Sequence, residues 1–349
     1  MRLKGLKTVN KEFEARHNET LQILSFLSKE AERLNETLVF LGGSAVQAIL
    51  RNPKRLSIDL DVYYSGDAGK LIMILENKGY KNTARKSFNS TMFEFYTARK
   101  GGVMVKMDFL KIQVSPQYSF KKELVEPETR KKFVVFVGKP EYLIAAKLSA
   151  LAVGTIGRRK NSETVEIDIV KDVYDFNSLS DEFPDMGPKI NEVLHEIMTQ
   201  QNKLHKTTYS MKEVYASLEK TLRNLAKLGK DAFVGQGALG NFMQHLYTGE
   251  FSRSDLATVA MRTLYHIGAF QRKESTKKGE KEVNEKVADR VYVSGCEKAL
   301  IAAGEDPQLL HELKIMAPKA LLYLFYWMEK KRGDDSVTTD TPGAYNPTY

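Results

Sequence analysis

The amino-acid sequence predicts an α+β protein, with a small mixed sheet and helices over residues 1–139 and an all-helical half over residues 140–333. Before Pro140, short apolar runs with the two-residue period of strands alternate with segments of helical period. After Pro140 the period is helical throughout, which predicts helices packed on one another. The last stretch, residues 334–349, is rich in Thr, Pro, Gly and Asn, a composition typical of a disordered tail.

Local patterns predict each element in turn. An amphipathic pattern predicts a helix within residues 10–35, and an apolar run predicts a buried strand over 37–41. Ser44 is placed to cap a helix that ends before Pro53. The next elements are strand 58–64, helix 68–78, a hairpin of 91–99 with 103–112, and strand 133–137. Helices are predicted over 140–153, 163–180, 188–202, 211–228, 254–270, 281–303 and 306–330.

Composition restricts the class of protein. With 349 residues, 42% of them hydrophobic and 28% charged, the chain is typical of a globular protein with room for two domains. Cys296 is the single cysteine, which excludes an intrachain disulfide and indicates a reducing cytoplasm. We see neither a signal-peptide core nor an apolar run that would span a bilayer, so no membrane partner is expected. The net charge of +9 favours a polyanionic partner such as nucleic acid, although a plain basic surface would give the same charge.

Two acidic residues one position apart are the most informative feature. Asp59 and Asp61 lie in the predicted strand 58–64, where residues i and i+2 point to the same side. Adjacent carboxylates repel unless a cation lies between them or one holds a proton, and Mg²⁺ or Mn²⁺ prefers oxygen ligands of this kind. Before them, Gly42-Gly43-Ser44 can form a tight turn whose backbone N–H groups face a phosphate. The combination indicates phosphoryl or nucleotidyl transfer.

Asp108 is a third candidate ligand. It is a charged residue inside the strand-like run Val105–Leu110. If that strand neighbours the strand of Asp61, three carboxylates meet on one face, which is a ligand set for two metal ions. The alternative interpretation places Asp108 on the solvent face of an antiparallel sheet.

The helical half holds a second group of charged residues. Lys147 interrupts a nearly continuous apolar helix, so it either reaches the rim or points into a cleft, where it would neutralise a triphosphate. Asp168, Asp172 and Asp175 lie on one helical face, which is unfavourable without cationic partners. The alternative is a solvated acidic face. The candidate partners are Lys147, Arg158, Arg159 and Lys171.

Together these residues resemble one family. Gly-Gly-Ser at 42–44 is followed by Arg55-x-Ser57-x-Asp59-x-Asp61, a helical lysine and Lys171-Asp172-Val173-Tyr174-Asp175-Phe176. This order is similar to the AbiEii/AbiGii-type nucleotidyltransferase toxins, close relatives of the MenT toxins of type IV toxin–antitoxin systems. The first two motifs occur across the DNA polymerase β-like superfamily, and the Asp-x-Tyr-Asp segment is more specific. The resemblance covers residues 40 to about 180.

The resemblance implies a polymerase β-like nucleotidyltransferase core at residues 1–139 and a role for each matched residue. Asp59 and Asp61 would hold the metals together with Asp108, and Lys147 and Asp172 would be catalytic residues of the second half. The expected nucleotide-binding residues are Gly42, Gly43, Ser44, Arg55 and Ser57. Ser57 also matches a position proposed to be phosphorylated by a partner antitoxin. The basic segment 155–164 departs from the family pattern.

The expected reaction is metal-dependent transfer of an NMP from an NTP to an acceptor hydroxyl. Resemblance to the MenT group implies a tRNA 3′ end as acceptor and a cognate antitoxin as partner. One alternative changes the acceptor to a protein or to a small molecule such as an aminoglycoside. Another is a non-catalytic nucleotide- or RNA-binding protein, against which the intact Asp59, Asp61 and Asp108 argue.

Basic residues near the predicted cleft are candidate contacts for an NTP or an RNA backbone. They form two clusters, Arg51 with Lys54 and Arg55, and 158–160. Solvated surface is the alternative interpretation of both clusters. The histidines, His245 among them, are scattered over predicted helices and are expected to be structural.

Overall fold

The computed structural model describes residues 11–85, 93–158, 165–184, 186–228, 233–247 and 250–335. The chain divides into two compact units, Met1–Thr221 with Val234–Ser252, and Leu222–Phe233 with Arg253–Tyr349. The predicted boundary between residues 139 and 140 therefore falls inside the first unit. Most of the predicted tail lies outside the described residues. None of the described helices has the length and apolar content needed to cross a bilayer.

The first unit is built on a mixed sheet. Its described strands are β1 Leu38–Leu41, β2 Leu60–Tyr64, β3 Lys81–Arg85, β4 Phe93–Lys100, β5 Val103–Leu110, β6 Ser119–Val125 and β7 Lys132–Gly138. Their order in the sheet is β3-β4-β5-β2-β1-β7-β6. The β2–β5 and β1–β7 pairs are parallel and the other pairs are antiparallel.

Helices complete this unit. They are α1 Lys11–Arg33, α2 Gly42–Ile49, α3 Ala68–Asn77, α4 Pro140–Leu151, α5 Val165–Glu182, α6 Gly187–His205, α7 Met211–Leu225, which continues into the second unit, and α8 Gln236–Met243. Sheet and helices together confirm the predicted α+β class.

Strand periodicity directs two acidic residues to one place. In β2, Leu60, Val62 and Tyr64 are buried, whereas the residues between them, Asp61 among them, are half-buried. The same alternation in β5 leaves Asp108 between buried neighbours. Because β2 and β5 are parallel neighbours in register, Asp61 lies directly opposite Asp108.

Asp59 is not in a strand, so the argument from strand alternation was wrong for this residue. β2 begins at Leu60 rather than at residue 58, and Asp59 lies in the bend before it. The reason is a long-range pairing. Leu56 N donates to His245 O at 2.7 Å, and Tyr247 N donates to Lys54 O at 3.0 Å. These bonds hold the segment before Asp59 away from the sheet.

Several other elements differ from the predictions. Strands β3 and β6 and helix α8 were not predicted; the two strands are edge strands with many charged residues, which masks their period. Two predicted helices are each divided in two. In the first of them, one helix ends at Lys286, and Asp289 caps the start of the next by accepting from Val291 N and Tyr292 N. Residues 91–92 and 163–164 of the predicted elements lie outside the described ranges.

The second unit is helical. Its helices are α9 Arg253–Gln271, α10 Lys277–Lys286, α11 Arg290–Ala302, α12 Pro307–Met316 and α13 Pro318–Asp335. Gly268 lets α9 approach α13, because a Cβ at this position would lie 2.9 Å from Trp327. Arg223 forms a bidentate ion pair with Glu305, at 2.6 and 3.0 Å, and lies over the Trp327 ring.

Glu280 makes the stability of this unit depend on pH. His266 Nε2 and Arg262 Nε each donate to its carboxylate at 2.7 Å. Burial opposes the charged form, but the His266 hydrogen bond and the Arg262 charge outweigh it and lower the pKa of Glu280 to about 2. A lowered carboxyl pKa stabilises the fold above the unfolded pKa of about 4.3, and that contribution is lost as pH falls toward 2.

We therefore expect Glu280→Gln to lower the free energy of unfolding by about 1–2 kcal/mol at pH 6, after allowance for solvent screening. The difference between parent and variant should shrink by more than half at pH 3. Urea unfolding at the two pH values measures it. A difference that stays constant between pH 6 and pH 3 would show that Glu280 is not the titrating group.

Candidate active site

Two glycines at the start of α2 allow the acidic strand to approach closely. Gly42 has φ +66°, and a Cβ there would lie 1.8 Å from Asp61 Oδ2. A Cβ at Gly43 would lie 2.5 Å from Arg55 Nη2 and 2.8 Å from Ser57 Oγ. The Asp61 carboxylate therefore lies directly over the turn, where a larger residue has no room.

Ser44 holds the bend that carries Asp59. The Ser44 hydroxyl is buried and donates to Asp59 O at 2.7 Å. α2 begins at Gly42 with Leu41 as its N-cap residue, so the predicted capping role of Ser44 is wrong. One turn later, Gln47 Oε1 accepts from Ser57 N at 3.0 Å. α2 thus fixes the backbone from Ser57 to Asp59.

Gly42→Ala is expected to destabilise the fold more than the same change at another left-handed glycine. Gly79→Ala is the matched control, because Gly79 has φ +85° and no described atom would lie within 4 Å of its Cβ. The control should lose about 1 kcal/mol from backbone strain alone. Gly42→Ala should lose about 2–3 kcal/mol, because Asp61 must also move. Equal losses in urea unfolding would show that Asp61 is not held over the turn.

The predicted site residues meet at one polar cavity of about 130 Å³. Asp59, Asp61 and Asp108 form part of its wall, and Lys147 and Asp172 form another part. Its remaining lining residues are Gly43, Arg55, Ser57, Ile58, Arg158, Asp168, Lys171 and His245. Gly42 and Ser44 are the predicted site residues that do not line it.

The acidic wall brings three carboxylates close together. Burial, followed by the charges of Asp108 and Asp59, raises the pKa of Asp61 to about 7. Asp59 Oδ1 is buried with no hydrogen-bond partner among the described residues, and its ion pair with Arg16 is long, at 3.8 Å. A divalent cation would offset the repulsion between the carboxylates and would contact the unpaired oxygen of Asp59. Carboxylate oxygens are suitable ligands for Mg²⁺ or Mn²⁺. In the described part of the chain, however, no three potential ligand side chains are clustered as a formed metal site.

Asp172 and Asp175 are buried in α5 and fully paired, so they do not form a solvated acidic face. Lys147 Nζ lies 2.9 Å from Asp172 and 2.8 Å from Asp175. Arg55 donates twice to Asp175, at 2.6 Å each, and Arg158 Nε donates to Asp172 at 3.0 Å. Burial opposes the charged form of both aspartates, but the neighbouring cations outweigh it and lower both pKa values.

Lys171 is less tightly paired than these cations. Its Nζ lies 3.9 Å from Asp168, at the outer limit of an ion pair. Burial, followed by repulsion from Arg55, lowers the pKa of Lys171. The polar cavity therefore holds a desolvated cation that an incoming anion would stabilise.

His245 also lines the cavity, a position that the sequence did not predict. Its ring stacks on Phe13 at 4.7 Å, and its Nδ1 lies 3.3 Å from Leu56 O. Burial, followed by the charges of Lys171 and Arg55, lowers its pKa to about 3, so the ring is neutral. His245 is far along the chain from the acidic motif and belongs to no local motif, so no sequence signal identified it.

The cavity is chemically suited to a polyphosphate and a divalent cation. Its acidic wall offers oxygen ligands, and Lys147, Arg158 and Lys171 offer positive charge. A glycine turn adjoins the acidic wall. Arg159, a predicted partner of the acidic helix face, lies outside the described residues.

Comparison with known protein families agrees with this chemistry. A family model described as "Nucleotidyl transferase AbiEii toxin, Type IV TA system" matches residues 25–252, more than half of the chain. A solved structure of an antigenic nucleotidyltransferase-like protein from Paracoccidioides brasiliensis is 16% identical, over 54% of this chain and 91% of its own. The TM-score of this match is 0.33. No curated protein matches significantly.

Proposed function

The chain belongs to the AbiEii family of nucleotidyltransferase toxins of type IV toxin–antitoxin systems, and we propose that it transfers an NMP from an NTP to a tRNA 3′ hydroxyl, with release of pyrophosphate. The observation that supports this most is a polar cavity in which Asp59, Asp61 and Asp108 lie with Lys147 and Lys171 beside the Gly42-Gly43 turn. Family membership also implies NTP as substrate and an antitoxin as partner. The protein would act in the cytoplasm, where NTP and tRNA both occur.

We assign the acidic wall to metal binding. Asp59, Asp61 and Asp108 would hold Mg²⁺ or Mn²⁺, which when bound would neutralise phosphate charge and activate the attacking hydroxyl. Gly43 lines the cavity and has no side chain of its own, so its backbone would approach the triphosphate. Lys171, whose ion pair with Asp168 is long, would neutralise phosphate charge.

The paired residues around Lys147 and Asp172 fit a positioning role better than direct contact with the substrate. Both carboxylate oxygens of Asp172 are bonded, to Lys147 and to Arg158. The Arg55 guanidinium is committed to Asp175 and to Leu56 O, which leaves it little capacity for a phosphate. We propose that Asp172 and Asp175 orient these cations around the cavity, and that Lys147 retains one N–H for the substrate.

We propose tRNA as the acceptor from the net charge of +9 and from the resemblance to the MenT group. To test it, the protein is incubated with Mg²⁺ and each α-labelled NTP, with tRNA, a protein extract or an aminoglycoside as acceptor. We expect label in tRNA, and none in tRNA whose 3′ ribose has been oxidised with periodate. Label only in protein or in the aminoglycoside would contradict the tRNA assignment while retaining the transfer chemistry.

Ser57 is the position at which an antitoxin would block the site by phosphorylation. It lies before β2, so strand register does not place it, but its side chain lines the cavity. A phosphate would add about −1.5 to −2 charges next to Asp59, where the NTP phosphates would bind. Ser57→Asp should therefore weaken NTP binding about 10-fold or more relative to Ser57→Ala, by calorimetry. Equal affinity of the two variants would remove the physical basis of this switch.

A further inference from the structure

A second cavity, of about 200 Å³, adjoins the polar cavity. The two share Asp61, Lys147, Arg158 and Asp172 in their walls. Away from these shared residues the lining is mainly apolar, from the ends of β4 and β5 and from α4 and α6. A molecule with a charged end and an apolar, planar end would therefore fit across the pair.

One polar side chain in the apolar part has an unused hydrogen-bonding group. Gln201 lines the cavity and is 4% exposed. Its Nε2 donates to Ser149 Oγ at 3.2 Å. Its Oε1 is buried with no hydrogen-bond partner within the described part of the chain. Such an acceptor costs about 1–3 kcal/mol, a cost that a ligand N–H would remove.

We propose that the apolar cavity is the base subsite of the NTP and that Gln201 determines which base is preferred. This inference rests on the proposed function. The triphosphate would lie in the polar cavity, and the ribose would pass the shared wall at Asp61 and Lys147. The ring would lie between apolar walls that include the Phe93 side chain, with one N–H donating to Gln201 Oε1. The rest of this lining is mainly apolar, with Tyr142 and Ser149 as its other polar side chains, so the unpaired acceptor of Gln201 would contribute most to base selection.

The first test compares Gln201→Leu with Gln200→Leu, the same change one residue earlier in α6, where the side chain does not line the cavity. Dissociation constants of the four NTPs and of inorganic triphosphate are measured by calorimetry with Mg²⁺ and no acceptor. In Gln201→Leu the ratio between the largest and the smallest NTP dissociation constant should shrink about 10-fold, as expected for a lost buried hydrogen bond. In Gln200→Leu this ratio should not change, and the dissociation constant of triphosphate should not change in either variant.

The second test fills the cavity. Ala146 lines it from α4, and Ala146→Phe should weaken NTP binding about 10-fold by excluding the base, while triphosphate binding stays within about two-fold of the parent. The proposal is overturned if triphosphate and NTP binding fall together, if NTP binding is unchanged because the cavity holds the acceptor, or if the parent binds all four NTPs equally. These measurements need no turnover. If binding depends on the base but no nucleotide is transferred to any acceptor, the proposed function is refuted and the base subsite is retained.

Discussion

Asp61→Asn is expected to lower nucleotidyl transfer about 10³-fold without lowering the free energy of unfolding. The reason for the activity loss is the removal of a proposed ligand that would position and neutralise the transferred phosphate. Stability should be unchanged or higher, because Asp61 is held among the charges of Asp108 and Asp59 and an amide ends that repulsion. Asp59→Asn should behave in the same way.

The measurement is the rate of label transfer from the preferred α-labelled NTP, together with urea unfolding of the same preparations. Asp67→Asn is the matched control, since this exposed residue follows the other end of β2 and asparagine also caps a helix. It should retain full activity. Transfer by both Asp61→Asn and Asp59→Asn at the parental rate would refute the metal-binding assignment.

Asp175→Asn is expected to be the most destabilising of the single substitutions, by about 3–5 kcal/mol. Arg55 is 7% exposed and donates its two shortest hydrogen bonds to Asp175, which also pairs with Lys147. The substitution leaves two buried cations with one carboxylate fewer. The melting temperature should fall by about 10 °C for a unit of this size.

An exposed ion pair supplies the control. Glu123→Gln removes the partner of Lys132, at 2.7 Å, in a pair whose side chains are 54% and 69% exposed. This variant should melt close to the parent, because solvent screens the pair. If Asp175→Asn melts no lower than Glu123→Gln, the buried charges do not form the network described above.

The sequence predicted the components of the candidate site better than their geometry. The alternation in β2 and β5 was sufficient to expect Asp61 and Asp108 on one face if the strands were neighbours, and they are neighbours. Spacing on α5 showed that Asp172 and Asp175 share a face that requires cations. The distortion before Asp59 was not predictable, because it depends on backbone pairing with residues 245–247.

Isolated polar residues could not be assigned either. Gln201 is one polar side chain on an amphipathic helix, and only the packing of α4 against α6 places it at the apolar cavity. His245 reaches the polar cavity through the same long-range pairing that displaces Asp59. Periodicity reports which face of an element is buried, and it does not report which element lies opposite.

The fate of each NTP phosphate tests the central claim most directly. The parent protein is incubated with Mg²⁺, tRNA and its preferred NTP, labelled in parallel reactions at the α- and γ-phosphates. We expect α-label to be retained in the tRNA and γ-label to appear in an equal amount of pyrophosphate, with neither product formed by Asp61→Asn. Retention of γ-label in the acceptor, or release of inorganic phosphate without incorporation of α-label, would contradict nucleotidyl transfer at this site.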